Sequence, residues 1–468
     1  MLNVFDDQGR MSRRKLLSVG GLGLGGLTLS TLLGLKAAAR GGAPNPLTGK
    51  SVIFLFQQGG PSQFETFDPK PDAPSGIRTV TDVIPTSIPG VRFGSSMEQL
   101  AALAHKFVNV RSFRTNNAGH NIQPVVSSYS KDANVGVHYS RVAGATRSGS
   151  GMPTGAILHP AAVDSTLPGP SARGDLRSTG PHPKSYAPFM PGGKGQLQED
   201  MSLNLPRERL LHGRKNLLDK LDGLKRRAEA ENEFQTLDDL RAQSYDVLLG
   251  DGVNKALDLS REDPRVLDAY DTSHFFGGKH WNKVSRGRSG YYNAQATSIG
   301  KLLLLARRLC EAGCGFVTVH AGYAGVWDMH ADGNNLNVRD GMDAVGRSFD
   351  HAVAAFIRDL EARGMQDEIL LVCCGEMGRT PRINKNGGRD HWSRLSPLMM
   401  YGGGIGEGKT IGASDSQGGE PATTPYDPSH LVSTILRTLI DPGVLRLDPS
   451  APQEVNDLLA KPPIPGLV

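Results

Sequence analysis

The chain has 468 residues, with 52 basic against 47 acidic side chains, a formal charge of +5 and four cysteines. Five of the basic and two of the acidic residues fall within positions 1–39. The remainder is therefore close to neutral, which removes the electrostatic basis for nucleic-acid or membrane-surface binding. Cys310 and Cys314 lie one turn apart and Cys373 and Cys374 are neighbours, a pattern of core thiols that excludes a disulfide framework or a zinc finger.

In chain order, Ser12-Arg13-Arg14-Lys15-Leu16-Leu17 is a twin-arginine sequence. A weakly apolar stretch with six glycines follows over 19–35, and then the small-residue site Ala37-Ala38-Ala39. Residues 1–39 thus read as a twin-arginine signal segment, with retention as an anchor the alternative. The expected location is periplasmic or otherwise exported, the expected partner the twin-arginine export machinery. No other stretch is long and apolar enough to span a bilayer. Residues 40–468 read as one α/β domain. An apolar run over 52–56 predicts a short strand ending in Gln57-Gln58-Gly59-Gly60-Pro61-Ser62, 97–105 a helix and 107–110 a second strand. The Gly-, Pro- and Ser-rich stretch 136–202 predicts an irregular cap, and 206–292 a helical insertion with Leu210, Leu211, Leu217, Leu218 and Leu221 on one face. Helices at 294–312, 341–363 (stopped by Gly364) and 428–439 then alternate with strands at 316–319, 369–374 and 397–401. That rhythm implies a mostly parallel sheet with helices on both faces.

Parallel strands gather their carboxyl ends on one edge, where open α/β sheets bind ligands. Onto that edge fall Gln57 to Ser62, the loop from Arg111 to His120, Trp327-Asp328-Met329-His330, Glu376 with Arg379, and Asp390 with His391. The Gly59-Gly60 turn reads as either an ordinary turn or an anion cradle. In an extended loop Asp328 and His330 face the same way and can share a cation. His320 is the next histidine to consider.

The twin-arginine start, the run from Gly59 to Pro71, Trp327-Asp328-Met329-His330, Gly375-Glu376-Met377-Gly378-Arg379-Thr380-Pro381-Arg382 and Gly388-Arg389-Asp390-His391-Trp392 resemble an exported bacterial family. It is catalogued as domain of unknown function 1501 and treated as sulfatase-like. The resemblance covers essentially all of 40–468 and implies an alkaline-phosphatase/sulfatase-like core. It also exposes departures. Gln57-Gln58 stand where relatives place a metal-binding aspartate. Asn116-Asn117-Ala118-Gly119-His120 stands where sulfatases place a Cys or Ser nucleophile, and Glu376-Met377 where phosphatases place an Asp-His pair. What the resemblance implies is thus one divalent-metal site (zinc, calcium or manganese) from Asp328, His330 and His391, with Glu376 and Asp390 as further candidates. The leading expectation is a metal-dependent hydrolase of sulfate or phosphate esters using water activated by the metal. Arg379 or Arg389 would stabilise developing charge, and Thr115 or His120 would assist. The alternatives are a non-catalytic envelope protein that binds an anionic glycan or a protein partner, and an assembly component of the envelope.

Overall fold

The computed structural model describes residues 44–147, 150–169, 171–192, 251–275, 283–284, 286–322 and 325–468, with two short strands at Phe5–Asp6 and Gly9–Arg10. The rest of the 1–39 segment, and residues 193–250 with the expected leucine stripe, lie outside the described residues.

The centre is a seven-stranded sheet. Its strands are β1 (Ser51–Phe56), β2 (Val108–Val110), β3 (Gly155–Leu158), β4 (Phe316–Val319), β5 (Ile369–Cys374), β8 (Leu398–Gly402) and β9 (Thr410–Ile411). A separate hairpin of β6 (Gly378–Ile383) and β7 (Arg389–Trp392) projects beyond β5. The spatial order is β9-β2-β8-β5-β1-β4-β3. Only β8 runs antiparallel to its neighbours.

β1 and β5 are continuous apolar runs because both faces of the sheet are covered. Alternation along the strand assigns each face its own core. Ile53, Leu55, Leu371 and Cys373 join Val317 and Val319 against Leu302 to Leu305 of α2 (Arg286–Glu311) and Val353, Phe356 and Ile357 of α3 (Arg347–Arg363). Val52, Phe54, Phe56, Leu370, Val372 and Cys374 pack on the other side, against Val135 and Tyr139 of α1 (Val135–Ala143) and Leu431, Ile435 and Leu436 of α4 (Pro428–Leu439). The four cysteines are free and buried, as their spacing implied. α3 ends where Gly364 adopts φ 68°, the left-handed cap that its glycine suggested.

One expectation needs correction. The 136–202 stretch is not simply an irregular cap, because its described part supplies α1 and the fully buried edge strand β3. Asn134 caps α1 by accepting the Gly136 N–H. β3 escapes pattern reading because four residues, Gly155-Ala156-Ile157-Leu158, sit between Gly- and Pro-rich turns and show no usable period. No described helix is long and apolar enough to cross a membrane.

Candidate functional site

Three segments meet at the carboxyl edge of the sheet, and Asp328 is their hub. Its carboxylate lies 2.9 Å from His120 Nε2, 2.9 Å from His330 Nε2 and 3.1 Å from His391 Nε2, and accepts a hydrogen bond of 2.7 Å from Arg379 Nη2. His120 comes from the loop after β2, Asp328 and His330 from the loop after β4, and Arg379 and His391 from the hairpin. There they are directly opposed across β6 and β7, so both side chains reach the same carboxylate. Two glycines permit the close approach. A Cβ on Gly59 (φ 115°) would stand 2.7 Å from the Asp328 nitrogen, and one on Gly388 would stand 2.4 Å from the His330 carbonyl carbon.

Depth grades across the cluster. Glu376 and Arg379 are completely buried and the Asp328 side chain is 4% exposed, whereas His330 and His391 are 22% and 29% exposed. The imidazoles therefore line the solvent side and the permanent charges lie beneath. Burial would raise the Asp328 pKa, but the hydrogen bonds to His120, His330 and His391, with the Arg379 charge, hold its carboxyl well below the usual range. Burial likewise opposes charge on His120, yet its hydrogen bonds to Asp328 and Glu376 prevail and push it up to about 9. The hydrogen bond to Asp328 also raises His330.

Donor atoms of His120, Asp328 and His391 lie within 4.8 Å of one another. Ligands of a tetrahedral zinc ion at about 2.0–2.2 Å stand roughly 3.3–3.5 Å apart, so this nitrogen and oxygen set suits one small divalent cation. His330 shares Asp328 Oδ2 with His120 and lies at the open rim.

The other expected residues part company. Asp390 points away from His391 because alternation along β7 sends its side chain outward, where it accepts from Asn384 Nδ2 at 3.0 Å. Arg389, expected to stabilise developing charge, is fully buried, paired with Glu65 at 3.0 Å and stacked 4.0 Å over the Phe64 ring. Arg379 is also fully committed. Besides Asp328 it donates to the carbonyls of Gly59, Gly60, Trp327 and Arg389. Thr115 is buried, its hydroxyl turned onto the Asn117 carbonyl at 3.3 Å. Glu376 accepts the Gly59 N–H at 2.9 and 3.0 Å and faces His120 Nδ1 at 3.1 Å. The glycine turn thus cradles an anion, but an internal one.

His320 is a packing residue. It is buried, with Nε2 3.2 Å from Gln58 Oε1, and burial beside His159 lowers its pKa to about 4. Gln58 spends its amide on Asn121, Arg173 and His320. Two contributors had no sequence signal tying them to the cluster, the Ala118 carbonyl, 2.9 Å from His391 Nδ1, and Asn335, 3.5 Å from Asp328 Oδ2. His120 was expected to assist chemistry, and the structure sets it among the donor atoms instead.

A family match described as "Protein of unknown function (DUF1501)" spans residues 49–444. The chain belongs to the DUF1501 family. Comparison with curated proteins finds no match. Among solved structures, this DUF1501 chain is similar to the PsFucS1 sulfatase from Pseudoalteromonas sp., at 12% identity and TM-score 0.36 over 92% of this chain and 72% of that one. It is similar to Ps i-CgsB in complex with k-i-k-neocarrahexaose, at 10% identity and TM-score 0.36 over 83% and 71%. It is also similar to the phosphonate monoester hydrolase SpPMH from Silicibacter pomeroyi, at 12% identity and TM-score 0.30 over 73% and 68%. Similarity this distant assigns neither a substrate nor a reaction.

Proposed function

We propose that this DUF1501 protein is an exported, metal-dependent hydrolase of sulfate or phosphate esters. The observation that carries the metal reading is the convergence of three imidazole Nε2 atoms on the buried Asp328 carboxylate, at the open edge of the sheet. The ester class comes from the sulfatase-like character that the motif resemblance implies, and export from the twin-arginine sequence at 12–17. His120, Asp328 and His391 would hold the ion, with His330 beside them. A divalent cation bound there would supply Lewis acidity toward the ester oxygens and favour ionisation of an attacking water. Asp328 supplies the permanent negative charge, and Arg379 fixes the rotamer of that carboxylate from beneath. His330, at the solvent side and outside that donor set, is placed to meet the substrate and to orient its leaving oxygen.

Metal analysis of the purified protein, together with turnover of aryl sulfate and aryl phosphate, tests this reading. One equivalent of divalent metal, lost along with turnover in His391→Ala, is the expected result. A protein without metal, and indifferent to that substitution, would remove the hydrolase reading.

A second reading, a protein that binds an anionic glycan without hydrolysing it, has one observation in its favour. Arg379 and Arg389 are both spent internally, so neither is free to stabilise a transition state. Binding of sulfated oligosaccharides without turnover by the metal-loaded protein would select it.

A further inference from the structure

Resting on the reading of His120, Asp328 and His391 as a cation site, we propose that Glu376 acts as a positioning residue for that site and not as a ligand. Glu376 lies across the His120 ring from Asp328, at Nδ1, while Asp328 meets Nε2. With the imidazole between them, the two carboxylates address different ring nitrogens and do not share one point. Both Glu376 oxygens are also anchored by the Gly59 N–H, at 2.9 and 3.0 Å, and the side chain has no exposed surface. This carboxylate is locked at the carboxyl end of β5 before any ligand arrives.

The consequence is a tautomer. A carboxylate accepts hydrogen bonds and cannot donate them, so Glu376 retains the proton of His120 on Nδ1, and a cation that displaced the Nε2 proton now facing Asp328 would find the ring as the Nδ1–H tautomer with its lone pair on Nε2. His391 is built the same way, with a backbone carbonyl in the carboxylate's place. Ala118 O lies 2.9 Å from its Nδ1, and Nε2 turns to Asp328. Two rings from distant segments thus have their Nδ1 protons held by acceptors behind them and their Nε2 atoms turned to the same carboxylate, the usual means by which an outer partner orients a metal-binding histidine. Glu376 has a second task. It fastens the loop carrying His120 to the end of β5, and Gln123 strengthens that join by donating to the Glu376 carbonyl at 3.2 Å.

Zinc titration calorimetry on the full-length chain tests the assignment in wild type, Glu376→Gln, Glu376→Ala and His391→Ala. Spectra of 15N-histidine in the metal-free proteins report the His120 ring nitrogens. His391→Ala should abolish zinc binding, and Glu376→Ala should weaken it by about 10- to 100-fold. Glu376→Gln keeps the volume and one acceptor, guards against a folding defect, and should weaken binding less. Both Glu376 variants should shift the His120 resonances, and the visible spectrum of the cobalt-loaded protein should keep its band positions in Glu376→Gln. Loss of zinc in Glu376→Gln as complete as in His391→Ala would make Glu376 a ligand and overturn the proposal. Unchanged affinity with unchanged His120 resonances would overturn it equally. A wild-type protein that binds no zinc or cobalt while Glu376→Gln still shifts His120 would overturn the cation reading itself, leaving Glu376 a structural anchor.

Discussion

Two dense charge networks in this protein look alike by residue type and differ in how they close. On the helical side, Arg307, Arg308 and Arg363 interlace with Glu262, Glu311 and Asp359. Arg307 meets Glu311 at 2.7 Å and Asp359 at 3.0 Å, Arg308 meets Glu262 at 3.0 Å, and Arg363 meets Asp359 at 2.8 Å. Three guanidinium groups answer three carboxylates, and nothing is left over. At the sheet edge, Asp328 meets one guanidinium, Arg379, Glu376 meets none, and the remaining ionisable partners of both are imidazoles. Guanidinium groups only donate and stay charged, whereas a neutral imidazole offers a lone pair. The helical network is therefore a finished clamp. The edge cluster is closed by imidazoles, which can release the Nε2 protons facing Asp328 and so offer a divalent cation a carboxylate and lone pairs together.

The largest expected effect removes the hub. Asp328→Asn keeps the shape of the side chain and one acceptor but leaves the Arg379 charge buried with no anion in contact. Breaking one side of a buried pair costs about 3–5 kcal/mol. Urea denaturation of the protein stripped of divalent ions should show that loss in the midpoint, with little change in slope. A loss below about 1 kcal/mol would mean that solvent or Glu376 already compensates Arg379, and the contrast between the two networks would dissolve.

The sheet was legible in the sequence, and so was the edge where the clusters meet. β1 and β5 announce themselves as unbroken apolar runs, and the clusters at Asp328, Glu376 and His391 each follow a strand or its hairpin. Side-chain direction within the hairpin was less accessible. Strict alternation along β7 could have sent Asp390 outward, but only once 389–392 was known to be a strand. Arg389 was unreadable for another reason. Its partner Glu65 lies in the segment after β1, and no local spacing connects the two. His120 illustrates the same limit, because its distance to Asp328 is set by the order of β2, β8, β5, β1 and β4 across the sheet and by no motif. Short, Gly-bounded β3 was hidden because a period cannot emerge from four residues.

A smaller effect sharpens the comparison through pH. Burial would raise the Glu262 pKa, but hydrogen bonds from Arg308 and Arg307 prevail and lower it to about 2 from an ordinary 4.5. A depressed carboxylate contributes stability that is fully present above its unfolded pKa and is lost as pH falls through the folded value. The network should thus hold at neutral pH and yield between about pH 4.5 and pH 2. Glu262→Gln should lower stability at pH 7 by about 1–2 kcal/mol, after allowance for solvent screening, and flatten that acid limb. Melting temperatures across the window give the readout. An acid limb identical to wild type would show that Glu262 gains nothing from its arginines.

The smallest effect tests redundancy directly. Glu311 bridges Arg307 at 2.7 Å and Arg363 at 3.4 Å, and its side chain is 31% exposed. When Glu311→Gln removes that charge, Arg307 keeps Glu262 and Asp359, and Arg363 keeps the same two anions. No guanidinium is stranded, so the cost should stay below about 1 kcal/mol, as for a solvent-screened pair. The same denaturation assay applied to Asp328→Asn gives the ratio that matters. If Glu311→Gln proves as damaging as Asp328→Asn, charge balance is not what separates the two networks. If the gap is several-fold, the helical clamp tolerates loss because its anions are shared, and the edge cluster does not because one carboxylate serves every partner.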